Sequence, residues 1–110
     1  MKSLFGFAGL AMAVVMLVVG ASPAQAAADA AKGKEVFEQC AVCHNADSTE
    51  KKMGPGLKGL YKRAKLSNGK PLTDASVKAL INAGGNGMPA YADMLSDAER
   101  GDLIAYLKTL

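Results

Sequence analysis

Cys40-Ala41-Val42-Cys43-His44 is the stretch that decides how the rest of the chain is organised. It holds both cysteines and the single histidine of a 110-residue chain. At the end of a helix, positions i, i+3 and i+4 project from one side, so two thiols and an imidazole converge on one point. C-x-x-C-H in this order is the attachment signature of a c-type haem. The thiols add to the two vinyl groups as thioethers, and His44 turns its imidazole under the iron. Other uses of a cysteine pair fit poorly. A thioredoxin-like redox pair needs a βαβ setting, which the sequence does not show. Structural zinc wants four Cys or His ligands, more than two cysteines and one histidine supply. A Cys40–Cys43 disulfide would close a loop of a few residues and restrict the unfolded chain very little.

Toward the N-terminus, Met1-Lys2 is followed by an uncharged apolar run over 4–19, and Ala21-Ser22-Pro23-Ala24-Gln25-Ala26 ends in small residues at the cleavage positions. That order predicts a secretory signal peptide over 1–26, cut after Ala26, and a single exported domain over 27–110 in the periplasm or an equivalent compartment. An uncleaved anchor is the alternative, but the run is shorter than the ~20 residues needed to cross the hydrocarbon core, and Gly6, Gly9 and Pro23 weaken it. The domain that remains is expected to have no stable membrane span.

Only Lys2 among the charged residues leaves with the signal, so positive and negative charges over 27–110 nearly balance. That argues against a polyanion, and no nucleic-acid partner is expected. Aromatic content over 27–110 is Phe37, Tyr61, Tyr91 and Tyr106, with no tryptophan. A core this thin needs something else to fill it.

Three helices are expected. The first runs over about 29–40 or a little beyond, with Val36, Phe37 and Cys40 on one face and Gly33 one turn before Phe37. The second covers about 74–83, with Thr73 as N-cap, an apolar face of Val77, Leu80 and Ile81, and Gly84-Gly85 as the stop. The third opens at the capping box Ser96-Asp97-Ala98-Glu99 and ends near 108, burying Leu103, Ile104, Tyr106, Leu107 and Leu110. Between them, 45–72 and 84–95 are glycine- and proline-rich loops, with a helical turn near 57–61. No window alternates with period 2, so no strand is expected. Long loops in a small domain usually wrap something. The fold class is all-α, three main helices wrapped around one covalently bound haem.

With one histidine, bis-histidine ligation within the chain is excluded, leaving a methionine or an open sixth position. Met53, Met88 and Met94 lie outside the signal. Met88 sits in Gly84-Gly85-Asn86-Gly87-Met88-Pro89-Ala90-Tyr91, where glycines permit close approach to a flat group and Pro89 stiffens the backbone behind the sulfur. The expected metal ligands are therefore His44 and Met88. Met94 is next in line, although its place before Leu95 and the third helix suits a core filler. Met53 is close to His44 in sequence and would be strained to reach the far face.

These residues resemble the class I c-type cytochromes over essentially all of 27–110. The matches are C-x-x-C-H at Cys40 to His44, G-P-x-L-x-G-L from Gly54 to Leu60, M-P-A-Y from Met88 to Tyr91, and the terminal helix. The resemblance implies the small cytochrome c fold and one haem c. It also implies that the Pro55 carbonyl accepts from Nδ1–H of His44, and that Gly33 and Phe37 pair with Tyr106 across the first and last helices. Tyr61-Lys62-Arg63 is similar to a segment of the mitochondrial-type members that makes Arg63 a haem-propionate partner; a solvated arginine is the alternative. The short stretch over 65–72 and the absence of tryptophan place the resemblance nearer the small bacterial members.

The function implied is a one-electron carrier with His/Met ligation, not an enzyme, that exchanges electrons with redox-partner proteins as a monomer. Two alternatives share some of the motifs: an electron-transfer subunit of a larger oxidase or dehydrogenase complex, and a haem peroxidase or ligand sensor with an open sixth position. Lysines 51, 52, 58, 62, 65 and 70 with Arg63 make one loop region basic, which would steer an acidic partner or simply be a solvated face.

Overall fold

Asp29 starts the first helix by turning its carboxylate onto the free amides of the first turn, accepting from Ala31 N at 2.8 Å and Lys32 N at 3.3 Å. The computed structural model describes residues 27–110, so the expected signal peptide lies outside the described residues. The order is α1 (Ala30–Phe37), a 3₁₀ turn (Leu60–Lys62), α2 (Asp74–Ala83) and α3 (Asp97–Leu107), and no strand longer than an isolated bridge occurs among the described residues. The all-α, three-helix architecture is the expected one. Both later helices begin with reciprocal caps. Thr73 and Ser76 exchange bonds at α2, and Ser96 and Glu99 do so at α3. Each satisfies two amides that the helix geometry leaves without partners.

Helices α1 and α3 cross at Gly33. A Cβ built there would overlap the Asp102 backbone and lie 2.8 Å from Tyr106 Cβ, so only glycine permits this separation. The Asp29 amide donates to Asp102 Oδ1 at 2.8 Å. One turn further on, Phe37 and Tyr106 meet with ring centroids 5.3 Å apart and planes tilted by 55°, an arrangement aromatic pairs favour.

Regular helix stops at Phe37, earlier than the apolar pattern suggests. The chain keeps winding through a tightened turn: Cys40 N and Ala41 N both donate to Phe37 O, and Cys43 N and His44 N both donate to Cys40 O. Mixed i−3 and i−4 bonding of this kind is common where a helix unwinds.

The buried core comprises Phe37, Leu60, Leu66, Val77, Ile81, Tyr91, Leu95, Leu103, Ile104 and Leu107. Leu66 and Leu95 come from segments without helical periodicity. Met94 does not fill the core as its position before the α3 cap suggests. It is 59% exposed, and its neighbour Leu95 turns inward instead.

Candidate functional site

A cleft of about 470 Å³ opens between α2, α3, the end of α1 and the two long loops. Phe37, Leu57, Leu60, Leu66, Val77, Ile81, Leu103 and Leu107 line it, and so do Cys40, Cys43, His44, Pro55, Arg63 and Met88. The cleft thus gathers the expected anchors, ligands and contacts, while Met94, the next candidate ligand, does not line it. Apolar walls around such a volume strongly favour a bound apolar body.

Cys40 and Cys43 are not bonded to each other and are both half-buried. Burial pushes the Cys40 thiol above its ordinary pKa, and Cys43 beside it acts in the same direction. The two sulfurs are held on one turn, with the histidine next along it.

His44 is fixed from two sides. Its Nδ1 lies 2.8 Å from the Pro55 carbonyl oxygen. A carbonyl only accepts, so Nδ1 is the donor here and Nε2 is the ring nitrogen left to face a metal. The loop returns across the ring at Gly54, whose amide donates to Cys43 O at 2.8 Å. A Cβ on Gly54 would come within 2.8 Å of His44 Nδ1 and 2.5 Å of Cε1. Gly54 enters the sequence reading only as the first residue of the G-P-x-L-x-G-L stretch, and its role against the His44 ring comes from the fold. Lys52 Nζ also reaches back to the Ala41 carbonyl at 3.2 Å, tying the loop to the cysteine turn.

Met88 comes from the connection between α2 and α3. Gly85 and Met88 exchange both backbone bonds at 3.0 Å, and the two residues between them, Asn86 and Gly87, have φ of 52° and 88°. Positive φ at both central positions marks a type I′ turn, for which Asn-Gly is the favoured pair. A two-residue turn therefore fixes the methionine's backbone. Met88 is half-buried in the cleft. Met53 also borders it, but is 80% exposed and lies on the cysteine side, its Sδ 3.9 Å from Cys43 Sγ.

Arg63 reaches the cleft rim with one terminal nitrogen already engaged. Its Nη2 donates to the carbonyls of Gly56 and Lys58 at 2.8 and 3.0 Å. Lysines 51, 52, 58, 62, 65 and 70 are all exposed, and none is in an ion pair among the described residues. No helix among the described residues is long and apolar enough to cross a membrane.

The site's chemistry suits a large apolar metallo-cofactor: two adjacent thiols, an imidazole in the right tautomer, a thioether and hydrocarbon walls. Comparison with known proteins agrees. Residues 30–110 match the Cytochrome c family. The chain is 33% identical to a cytochrome c2 of Blastochloris viridis, with 84% of this chain and 87% of that one covered. It is 35% identical to a cytochrome c6 of Thermosynechococcus vestitus, covering 92% and 88% respectively. Among solved structures, cytochrome c6 of the diatom Phaeodactylum tricornutum superposes with a TM-score of 0.57 at 28% identity, over 74% of this chain and 92% of that one. Cytochrome cH of Methylobacterium extorquens gives 0.53 at 27%, over 74% and 99%. The chain belongs to the cytochrome c family, as a small class I electron carrier with one covalent haem c.

Proposed function

We propose that this cytochrome carries single electrons in the periplasm or an equivalent compartment, with His44 and Met88 as axial ligands and Cys40 and Cys43 as the thioether anchors. Haem iron supplies the chemistry when bound, by cycling between oxidation states one electron apart. The chain's own residues make that cycle easy. Pro55 holds the His44 tautomer and, by accepting its proton's hydrogen bond, strengthens the ring as a donor. The I′ turn holds Met88, and a methionine opposite histidine raises the reduction potential relative to two histidines. Side chains fixed this firmly have little to rearrange when an electron arrives or leaves. Arg63 stands at the rim with Nη1 available to a propionate.

The observation that carries this assignment is the entry of Met88 into the same cleft as Cys40, Cys43 and His44, from an element far away in sequence. Met53 is the rival. It shares the loop of Gly54 and Pro55, which packs on His44 itself, and its sulfur lies beside Cys43. Partners are other redox proteins, and the exposed lysines favour acidic ones. A single copy encloses the cleft, which suits a monomer. Export rests on the signal-like segment over 1–26.

The test is Met88→Ala beside Met53→Ala in the purified holoprotein. Met88→Ala is expected to retain haem, lose the sulfur-to-iron charge-transfer absorption of the oxidised form and fall in potential, whereas Met53→Ala keeps that absorption. An unchanged spectrum in Met88→Ala sinks the ligand assignment.

A further inference from the structure

Arg100 is buried in α3, 8% exposed, yet its charge serves the segment that follows Met88. Nη1 donates to the carbonyls of Leu95 and Ala92 at 2.5 and 3.2 Å, and Nη2 donates to Asp97 Oδ1 at 2.5 Å. Nε is buried without a partner. Burying a guanidinium is costly unless its bonds offset the desolvation, and here two of those bonds go to one short stretch of irregular backbone. From the other side, Tyr91 N and Ala92 N donate to Ile81 O and Asn82 O at the end of α2. The stretch over 91–95 is thus clamped between α2 and α3, with Arg100 as the only side chain among the described residues that bonds its carbonyls.

We infer that Arg100 is a positioning residue for the sixth ligand: it holds the 91–95 segment in register and so keeps Met88 seated against the iron. This rests on Met88 being that ligand. The physical basis is a local opening equilibrium. Irregular segments between helices open locally below the global unfolding free energy, and a competing ligand binds only the open form, so its apparent affinity rises in proportion to the open fraction. A hydrogen bond to a charged donor is a large share of what holds such a segment closed.

The experiment is titration of the oxidised holoprotein with imidazole, which must displace Met88 to reach the iron. Arg100→Gln is expected to bind imidazole about tenfold more tightly than the wild type, or better, the loss of one charged hydrogen bond. Arg100→Lys, which keeps the charge but not the fork, should fall between them. Backbone amides of Tyr91 and Ala92 should exchange faster in both variants. Asp29→Ala, which loses the side-chain cap of α1 and touches neither the 91–95 carbonyls nor Arg100, controls for general destabilisation and should leave imidazole affinity unchanged. Wild-type affinity in both Arg100 variants overturns the inference, as does an equal change in Asp29→Ala, because Arg100 would then be only a structural support. Equal affinity in the wild type and Met88→Ala is a different failure. Met88 would then not be the displaced group, and the ligand assignment would fall first.

Discussion

Gly33→Ala is the sharpest test of how this domain is held together, because local and tertiary effects have opposite signs. Alanine in a helix interior is favoured over glycine by about 1 kcal/mol. At the α1–α3 crossing, however, the added carbon would overlap the Asp102 backbone, and Tyr106 Cβ would be 2.8 Å away. Backbone in the middle of α3 cannot step aside alone, so the two helices must separate. Overpacking of this kind costs about 1–3 kcal/mol. The Phe37–Tyr106 pair, at 5.3 Å, is drawn apart as well and forfeits part of its roughly 0.5–1.5 kcal/mol. After the propensity gain the net loss is about 0.5–3 kcal/mol. For a domain of this size each kcal/mol lowers the melting temperature by roughly 4–8 °C.

Urea unfolding of the holoprotein, followed by far-ultraviolet circular dichroism, measures the loss as a lower midpoint at unchanged slope. Gly101→Ala is the matched control. It lies in α3, where a Cβ would meet only Ala28 Cβ at 4.0 Å, so it should gain about 0.5–1 kcal/mol. If Gly33→Ala is as stable as the wild type, the close crossing does not set the helix separation and the packing account fails.

Gly87→Ala forces a side chain onto a φ of 88°, at a cost of about 1–2 kcal/mol, and should weaken the sulfur-to-iron absorption in the oxidised protein; Asn86→Gly should preserve it. The Asp74 carboxyl is held below its ordinary value, mainly by the Lys108 ammonium at 2.8 Å, against a smaller opposing effect of burial. A depressed pKa means that the contribution is complete above the unfolded carboxylate pKa and fades as pH falls through the folded value. Asp74→Asn should therefore lower stability slightly at neutral pH, by well under about 1 kcal/mol for so exposed a pair, and the gap to the wild type should close on acidification. A gap that widens toward low pH contradicts that sign.

Much of this architecture was legible before any coordinates. The motif at 40–44, the cap at Ser96, the N-cap Thr73 and the stop at Gly84 are local signals, and local signals survive folding. The residues that escaped act outside any helical period. Arg100 carries a charge on a helix, and a charge on a helix ordinarily points to water; the carbonyls of Ala92 and Leu95, with the Asp97 carboxylate, explain its burial. Leu66 and Leu95 lack periodic neighbours, so nothing in the sequence distinguishes them from exposed loop residues. Met94 shows the converse. Its apolar side chain before a helix cap suggested the interior, but the adjacent Leu95 occupies that place. Asn86-Gly87 is a turn signature, but with no strands flanking it the sequence does not announce the turn that positions Met88.

The meeting of α1 with α3 also governs how the domain comes into being. Its first helix has no partner until its last has been made, and the span between them is most of the domain. Closing so wide a ring costs only modestly more than closing a small one, but it postpones the decisive contact and slows assembly. Phe37 lacks its aromatic partner until Tyr106 arrives, so the crossing of α1 and α3 cannot form in a fragment that ends before α3. Assembly should accordingly be all-or-none, with both terminal helices gaining solvent protection in the same step.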